Sequence, residues 1–206
     1  IAANNSSDRR IIGLAPESKI MPIRVLSGAG EGDADNVSKA IKYAVNNGAD
    51  VINLSFAGYE ESPTLSEAIK WAYDRGVVVV AAAGNGNASS SMGLNLQQVR
   101  AYPACQSFGQ SQREILTVAS VDSNNRKADF SNYGDGCVNI SAPGEGILGI
   151  SYQSSTISQL NSDYVLWSGT SFSAALVSAV AALIKSKTPV LSTKNIIEAI
   201  IFNLAY

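Results

Sequence analysis

The sequence predicts an α/β fold, a three-layer sandwich around a mostly parallel central sheet. Three observations carry that expectation. Short runs that are apolar at every position, above all residues 77–83 with four valines and then three alanines, read as strands covered on both faces. Amphipathic runs of helical period lie between them, as crossover helices do. Gly-, Ser- and Asn-rich segments stand where the strands should end, which is where sheets of this kind place their sites.

Taken in order, residues 20–26 (Ile-Met-Pro-Ile-Arg-Val-Leu) read as a first strand. Residues 35–47 form a helix, with Val37, Ala40, Ile41, Ala44 and Val45 on one face and Asn47-Gly48 as its stop. Residues 51–56 are a second strand. Residues 62–75 are a second helix, with Pro63 in its first turn and Gly76 closing it. Residues 77–83, 115–121 and 138–141 supply three more strands. Residues 168–187 contain a buried helix, and 192–204 a last amphipathic one. Asp33 and Asp35 read as surface or helix-capping residues, as Asp8 does. No repeat, linker or second domain is visible, so residues 1–206 are expected to form one unit.

The chain has 206 residues, 46% of them hydrophobic and 16% charged, which suits a packed globular body. A net charge of −2 without a basic cluster argues against nucleic acid or an anionic membrane as partner. The longest apolar run, residues 174–184, is about half of the ~20 residues a membrane span needs. No basic, signal-like segment opens the sequence. Two cysteines, Cys105 and Cys137, and no histidine give too few ligands for a metal site built on them. They form either one disulfide, which fits an oxidising compartment, or two free thiols.

Chemistry is concentrated in Gly169-Thr170-Ser171-Phe172-Ser173-Ala174, where a polar loop runs into the buried helix. A serine at such a junction is a common helix cap. It is also a place for a nucleophile, because a helix N-terminus favours developing negative charge. A serine nucleophile needs a base, and the chain has no histidine. Either the base lies outside these residues, or the chain does no acyl transfer.

Five motifs in order resemble the subtilisin-like serine proteases, the subtilases. Val77-Val78-Val79-Val80-Ala81-Ala82-Ala83-Gly84-Asn85 is similar to that family's strand ending in an oxyanion asparagine. Asp50-Val51-Ile52-Asn53-Leu54-Ser55-Phe56-Ala57-Gly58 resembles its substrate-binding strand. Asp129-Phe130-Ser131-Asn132-Tyr133-Gly134 and Ile140-Ser141-Ala142-Pro143-Gly144 resemble the motifs before the nucleophile. Gly13-Leu14-Ala15-Pro16, followed by Ile23-Arg24-Val25-Leu26, resembles the stretch after the catalytic histidine.

The resemblance implies a subtilisin-like fold and roles for particular residues. Ser171 would attack the scissile carbonyl. The Asn85 side chain and the Ser171 N–H would hold the oxyanion. Ser55, Phe56, Ala57 and Gly58 would pair with a polypeptide substrate, and Ala82, Ala83 and Gly84 would wall the pocket for the residue preceding the cleaved bond. No cofactor is implied, and calcium is left open as a structural ion near Asn4-Asn5-Ser6-Ser7-Asp8, where Arg9-Arg10 oppose it. An extracellular or periplasmic location is implied, in keeping with a Cys105–Cys137 bridge.

The pattern also departs from the family. Ile1-Ala2-Ala3-Asn4 resembles the residues just past the histidine helix, so the Asp and His segments are expected upstream of residue 1 or on another chain. The domain then looks truncated at both ends. Ser173-Ala174-Ala175-Leu176 occupies the stretch that usually holds Ser-Pro-His, and Phe172 stands where a methionine is common. Gly86, rather than an acid, comes after Asn85, which points to an uncharged, apolar preference in the pocket. The chain alone is expected to be inactive. The competing expectation is an inactive subtilase-like domain that binds a protein or peptide.

Overall fold

In the computed structural model, residues 1–3, 11–86, 91–106, 114–150 and 164–203 are described. The candidate calcium loop, residues 4–8, lies outside them. The elements run in the order α1 (Ala34–Asn46), β1 (Val51–Leu54), α2 (Pro63–Asp74), β2 (Val78–Ala82), β3 (Leu116–Val121) and β4 (Ile140–Pro143). After these come β5 (Ile147–Ile150), β6 (Tyr164–Trp167), α3 (Thr170–Lys187) and α4 (Thr193–Asn203). Strands β1-β2-β3-β4 form a parallel sheet in chain order, and β5 and β6 form a separate antiparallel ribbon.

The valine run explains the layering. Val77, Val79 and Ala81 face one side, where they pack with Ile52, Leu54 and the inner faces of α1 and α2. Val78, Val80 and Ala82 face the other, against Leu116, Val118 and residues of α3 and α4. Ile196, Ile197 and Ile200 of α4 are fully buried there, each burial worth roughly 2 kcal/mol. The helix starts obey local capping rules. Asp33 Oδ1 accepts from the Asn36 N–H at 2.7 Å, and Ser62 Oγ from the Leu65 N–H at 3.3 Å ahead of Pro63. Gly48 and Gly76 take positive φ just after α1 and α2.

One expected strand is absent. Residues 20–26 form no ladder, although Ile23 and Val25 pack against the first core cluster. Ile20 and Met21 are exposed. Apolar composition makes a segment strand-like, but a strand also needs a neighbour to pair with. The residues lie across a groove of about 1440 Å³ from β1, lined on the far side by Val51, Ile52, Asn53 and Leu54. Among the described residues β1 pairs with β2 alone, so its other edge is open to that groove. The other expected strands differ from expectation by at most two residues at their ends.

Cys105 and Cys137 are disulfide-bonded, with Cα atoms 4.4 Å apart, inside a third core cluster that includes Ala83 and Leu96. The bridge closes a 32-residue separation. Opening it by Cys105→Ser with Cys137→Ser is expected to cost about 3 kcal/mol, measured by chemical denaturation.

Glu114, just before β3, is buried, and its Oε2 has no hydrogen-bond partner among the described residues. Burial pushes its carboxyl above the ordinary value; Lys70 pulls it down and Asp74 adds to the rise. The folded protein therefore holds this proton more tightly than the unfolded chain. The stability it lends is present in acid and lost as pH rises through the raised value. Glu114→Gln should melt above the parent protein at neutral pH, and the gap should close on acidification. Melting curves across that range check this.

Candidate active site

Alternation along β2 decides which atoms reach the site. Ala82 faces the α3 side of the sheet, and Gly84, two residues on, continues on that side. Ala83 points the other way, into the third core cluster. On β1 the same alternation turns Asn53 and Ser55 toward α3. Asn53 Oδ1 accepts from Ser178 Oγ at 3.0 Å, and Asn53 Nδ2 donates to Ser55 Oγ at 2.8 Å. The carboxyl ends of β1 and β2 therefore meet the first turn of α3.

Between them lies a pocket of about 220 Å³. Ser55, Phe56 and Ala57 line one side, Ala82, Gly84, Asn85 and Gly86 the other, and Thr170 and Ser171 close it at the helix start. Of the residues singled out from sequence, the structure brings Ser171, Asn85, Ser55, Phe56, Ala57, Ala82 and Gly84 to this one pocket. It does not bring Ala83, which the alternation turns away, so the expected wall consists of Ala82 and Gly84. Gly58 also stands outside the lining. Its backbone pairs with Tyr102 in both directions, at 2.9 and 2.8 Å, and so fixes the end of the 55–58 segment.

The start of α3 is tied to three neighbours. Gly169 is its N-cap, and Ser171 is its second residue. The Gly169 N–H donates to the Gly144 carbonyl at 2.8 Å, and Ser173 Oγ donates to the carbonyls of Ala142 and Pro143 at 3.0 and 3.2 Å. This is the physical content of the Ala142-Pro143-Gly144 motif: it anchors the helix on the end of β4. The Thr170 N–H and Oγ1 both donate to Asn85 Oδ1 at 2.9 Å, and Thr170 Oγ1 accepts from the Gly84 N–H at 3.0 Å. With Oδ1 so held, Asn85 Nδ2 makes no hydrogen bond among the described residues and remains an available donor. Gly84 has φ +97°, and a Cβ there would lie 2.6 Å from Asn132 Nδ2. Only glycine meets both demands.

Ser171 and Ser55 bond reciprocally. Ser171 Oγ donates to the Ser55 carbonyl at 3.1 Å, and Ser55 Oγ to the Ser171 carbonyl at 3.0 Å. A peptide carbonyl accepts a hydrogen bond but does not take the proton. Among the described residues, no Asp, Glu, Lys or Arg lines the pocket, and the chain has no histidine. The site thus offers a hydroxyl, an amide donor and the N-terminus of an 18-residue helix, which favours negative charge. Among the described residues it holds no general base. No group of three or more His, Cys, Asp or Glu that could hold a metal ion occurs among the described residues.

Three residues that shape this site carry little signal in the sequence. Thr170 is visible only as part of Gly169-Thr170-Ser171. Asn132 is visible within Ser131-Asn132-Tyr133-Gly134, yet its task is not. Its buried side chain accepts from the N–H groups of Gly86 and Leu94 at 2.9 and 2.8 Å and donates to the Ala83 carbonyl at 3.0 Å. Tyr59, which also lines the pocket, has no signal at all. Asn132→Ala would leave two backbone donors and one acceptor without partners. A loss on the order of 3 kcal/mol is expected, read as a lowered denaturation midpoint.

An α/β sandwich with a serine hydroxyl and a fixed amide at the carboxyl edge of its parallel sheet is the class that fold and site define. Known proteins narrow it. The model of the Subtilase family, peptidase S8, matches residues 1–205. Subtilisin DY of Bacillus licheniformis is 37% identical over 186 residues, covering 90% of this chain and 61% of that protein. Thermitase of Thermoactinomyces vulgaris is 37% identical over 187 residues, covering 90% and 58%. The crystal structure of a cold adapted subtilisin-like serine proteinase matches with a TM-score of 0.74 at 28% identity, over 91% of this chain and 61% of that one. The chain belongs to the subtilase family, and it spans about three fifths of the length of these relatives.

Proposed function

We propose that residues 1–206 are the nucleophile-bearing part of a serine endopeptidase whose substrates are polypeptides. The observation that carries this reading is the junction of Asn85, Thr170 and Ser171 beside an uncharged pocket. Ser171 is the nucleophile. Asn85 Nδ2 and the Ser171 N–H receive the oxyanion, while the α3 N-terminus favours its charge. Ser55, Phe56 and Ala57 line one side of the substrate's path, with Gly58 beyond them, and Ala82 and Gly84 form the opposite wall of the pocket.

The base and the group that orients it come from outside these residues, on an upstream segment or another chain. The groove beside the open edge of β1 supports this. A parallel strand edge is ordinarily covered, and here Asn53 links the groove through Ser55 to Ser171. The complete site would then work by acyl transfer. Histidine, oriented by aspartate, takes the Ser171 proton and returns one to the leaving amine. The Cys105–Cys137 bridge supports an extracellular or periplasmic setting. The missing histidine favours a second reading, an inactive domain that binds a protein or peptide, and hydrolysis kinetics separate the two.

In protein that carries the Asp and His segment, Asn85→Ala should lower kcat about 100- to 1000-fold with little change in KM, and Ser171→Ala should abolish turnover. Residues 1–206 alone should show negligible turnover. Peptide hydrolysis by the complete wild-type protein is the check. No hydrolysis in any form would leave the binding-domain reading.

A further inference from the structure

One side chain crosses the pocket with no part in the proposed chemistry. Tyr59 comes just after the 55–58 segment on one wall, and its hydroxyl donates to the Gly86 carbonyl on the opposite wall at 2.8 Å. Tyr59 is among the residues that line the pocket, and it is 51% exposed. It therefore stands at the pocket's solvent side, not in its floor. The anchor it reaches is rigid. The Gly86 N–H is held by the buried Asn132 Oδ1 at 2.9 Å, so Gly86 is fixed from both sides.

The remaining walls are close together. A Cβ placed on Gly84 would be 3.4 Å from the Ala57 Cβ, ordinary van der Waals contact across the pocket. Tyr59 spans the gap between these walls, from the 55–58 side to Gly86. Among the described residues, no charged side chain lines the pocket to select a charged guest.

We propose that Tyr59 sets the size limit of the pocket beside Ser171 and restricts the residue preceding the scissile bond to small and medium uncharged side chains. The proposal rests on the endopeptidase reading above and names the substrate class for that site. The ring supplies the barrier. The hydroxyl bond to Gly86 holds the ring across the opening. Removing the ring and removing only the hydroxyl should thus have different effects.

The test is a peptide series identical except for Ala, Leu, Phe or Lys before the cleaved bond, hydrolysed by the complete protein and by Tyr59→Phe, Tyr59→Leu and Tyr59→Ala. Wild type should prefer Ala or Leu over Phe, with Lys poorest. Tyr59→Ala and Tyr59→Leu should raise kcat/KM for Phe relative to Ala by at least about tenfold. Tyr59→Phe should keep the wild-type ranking, because it keeps the ring. Two substitutions of different size guard against one of them failing to fold. An unchanged ranking in both, with wild type active, overturns the role of Tyr59 and leaves the endopeptidase standing. Absence of cleavage by wild type overturns the endopeptidase reading, and this proposal falls with it.

Discussion

The site depends on one small set of hydrogen bonds, those that join Thr170 to Gly84 and Asn85. Two donors of Thr170 converge on Asn85 Oδ1, and the Gly84 N–H returns a bond to the threonine hydroxyl. Thr170 is fully buried, so these groups have no water to fall back on. The bonds lock the end of β2 against the first turn of α3. That lock turns the amide of Asn85 outward and sets Ser171 over the end of β1. The glycine at position 84 and the anchoring of α3 on Ala142, Pro143 and Gly144 serve the same junction.

Around this junction the chemistry is incomplete in a specific way. The groups that stabilise negative charge are present: helix N-terminus, amide donor and an uncharged, partly enclosed pocket. Among the described residues, nothing that removes a proton is. The Ser171 hydroxyl is satisfied by a carbonyl instead. Beside it, a groove of about 1440 Å³ borders a strand with an unpaired edge. Asn53 connects that edge to Ser55 and hence to Ser171. A segment seated in the groove would thus be within a short chain of hydrogen bonds of Ser171.

Much of the layering is legible in the sequence because it depends on local pattern. The valine run specifies a doubly covered strand, and the spacing of Val37, Ile41 and Ala44 specifies the buried face of α1. Residues 20–26 mislead because pairing depends on a neighbour that local pattern does not reveal. The β5–β6 ribbon escapes because Ile147–Ile150 and Tyr164–Trp167 pair across an intervening stretch of chain, which local pattern does not reveal. At the site, motifs point to Asn85 and Ser171, which fold into one pocket. The tasks of Thr170, Asn132 and Tyr59 are not legible, since their partners lie 86, 46 and 27 residues away in the chain. Motif position assigns Ala83 to the wall; strand alternation turns it away.

Ser171 is proposed to be poised yet without its base among residues 1–206. The most direct measurement is fluorophosphonate modification, with intact mass and site mapping on the same samples. It would be made on residues 1–206 alone and on protein carrying the additional Asp and His segment, each with Ser171→Ala as control. One adduct is expected, on Ser171, in the longer protein alone. Rapid modification of Ser171 in residues 1–206 alone would show that a base is present after all. No modification of a folded longer protein would show that the junction of Asn85, Thr170 and Ser171 does not serve acyl transfer.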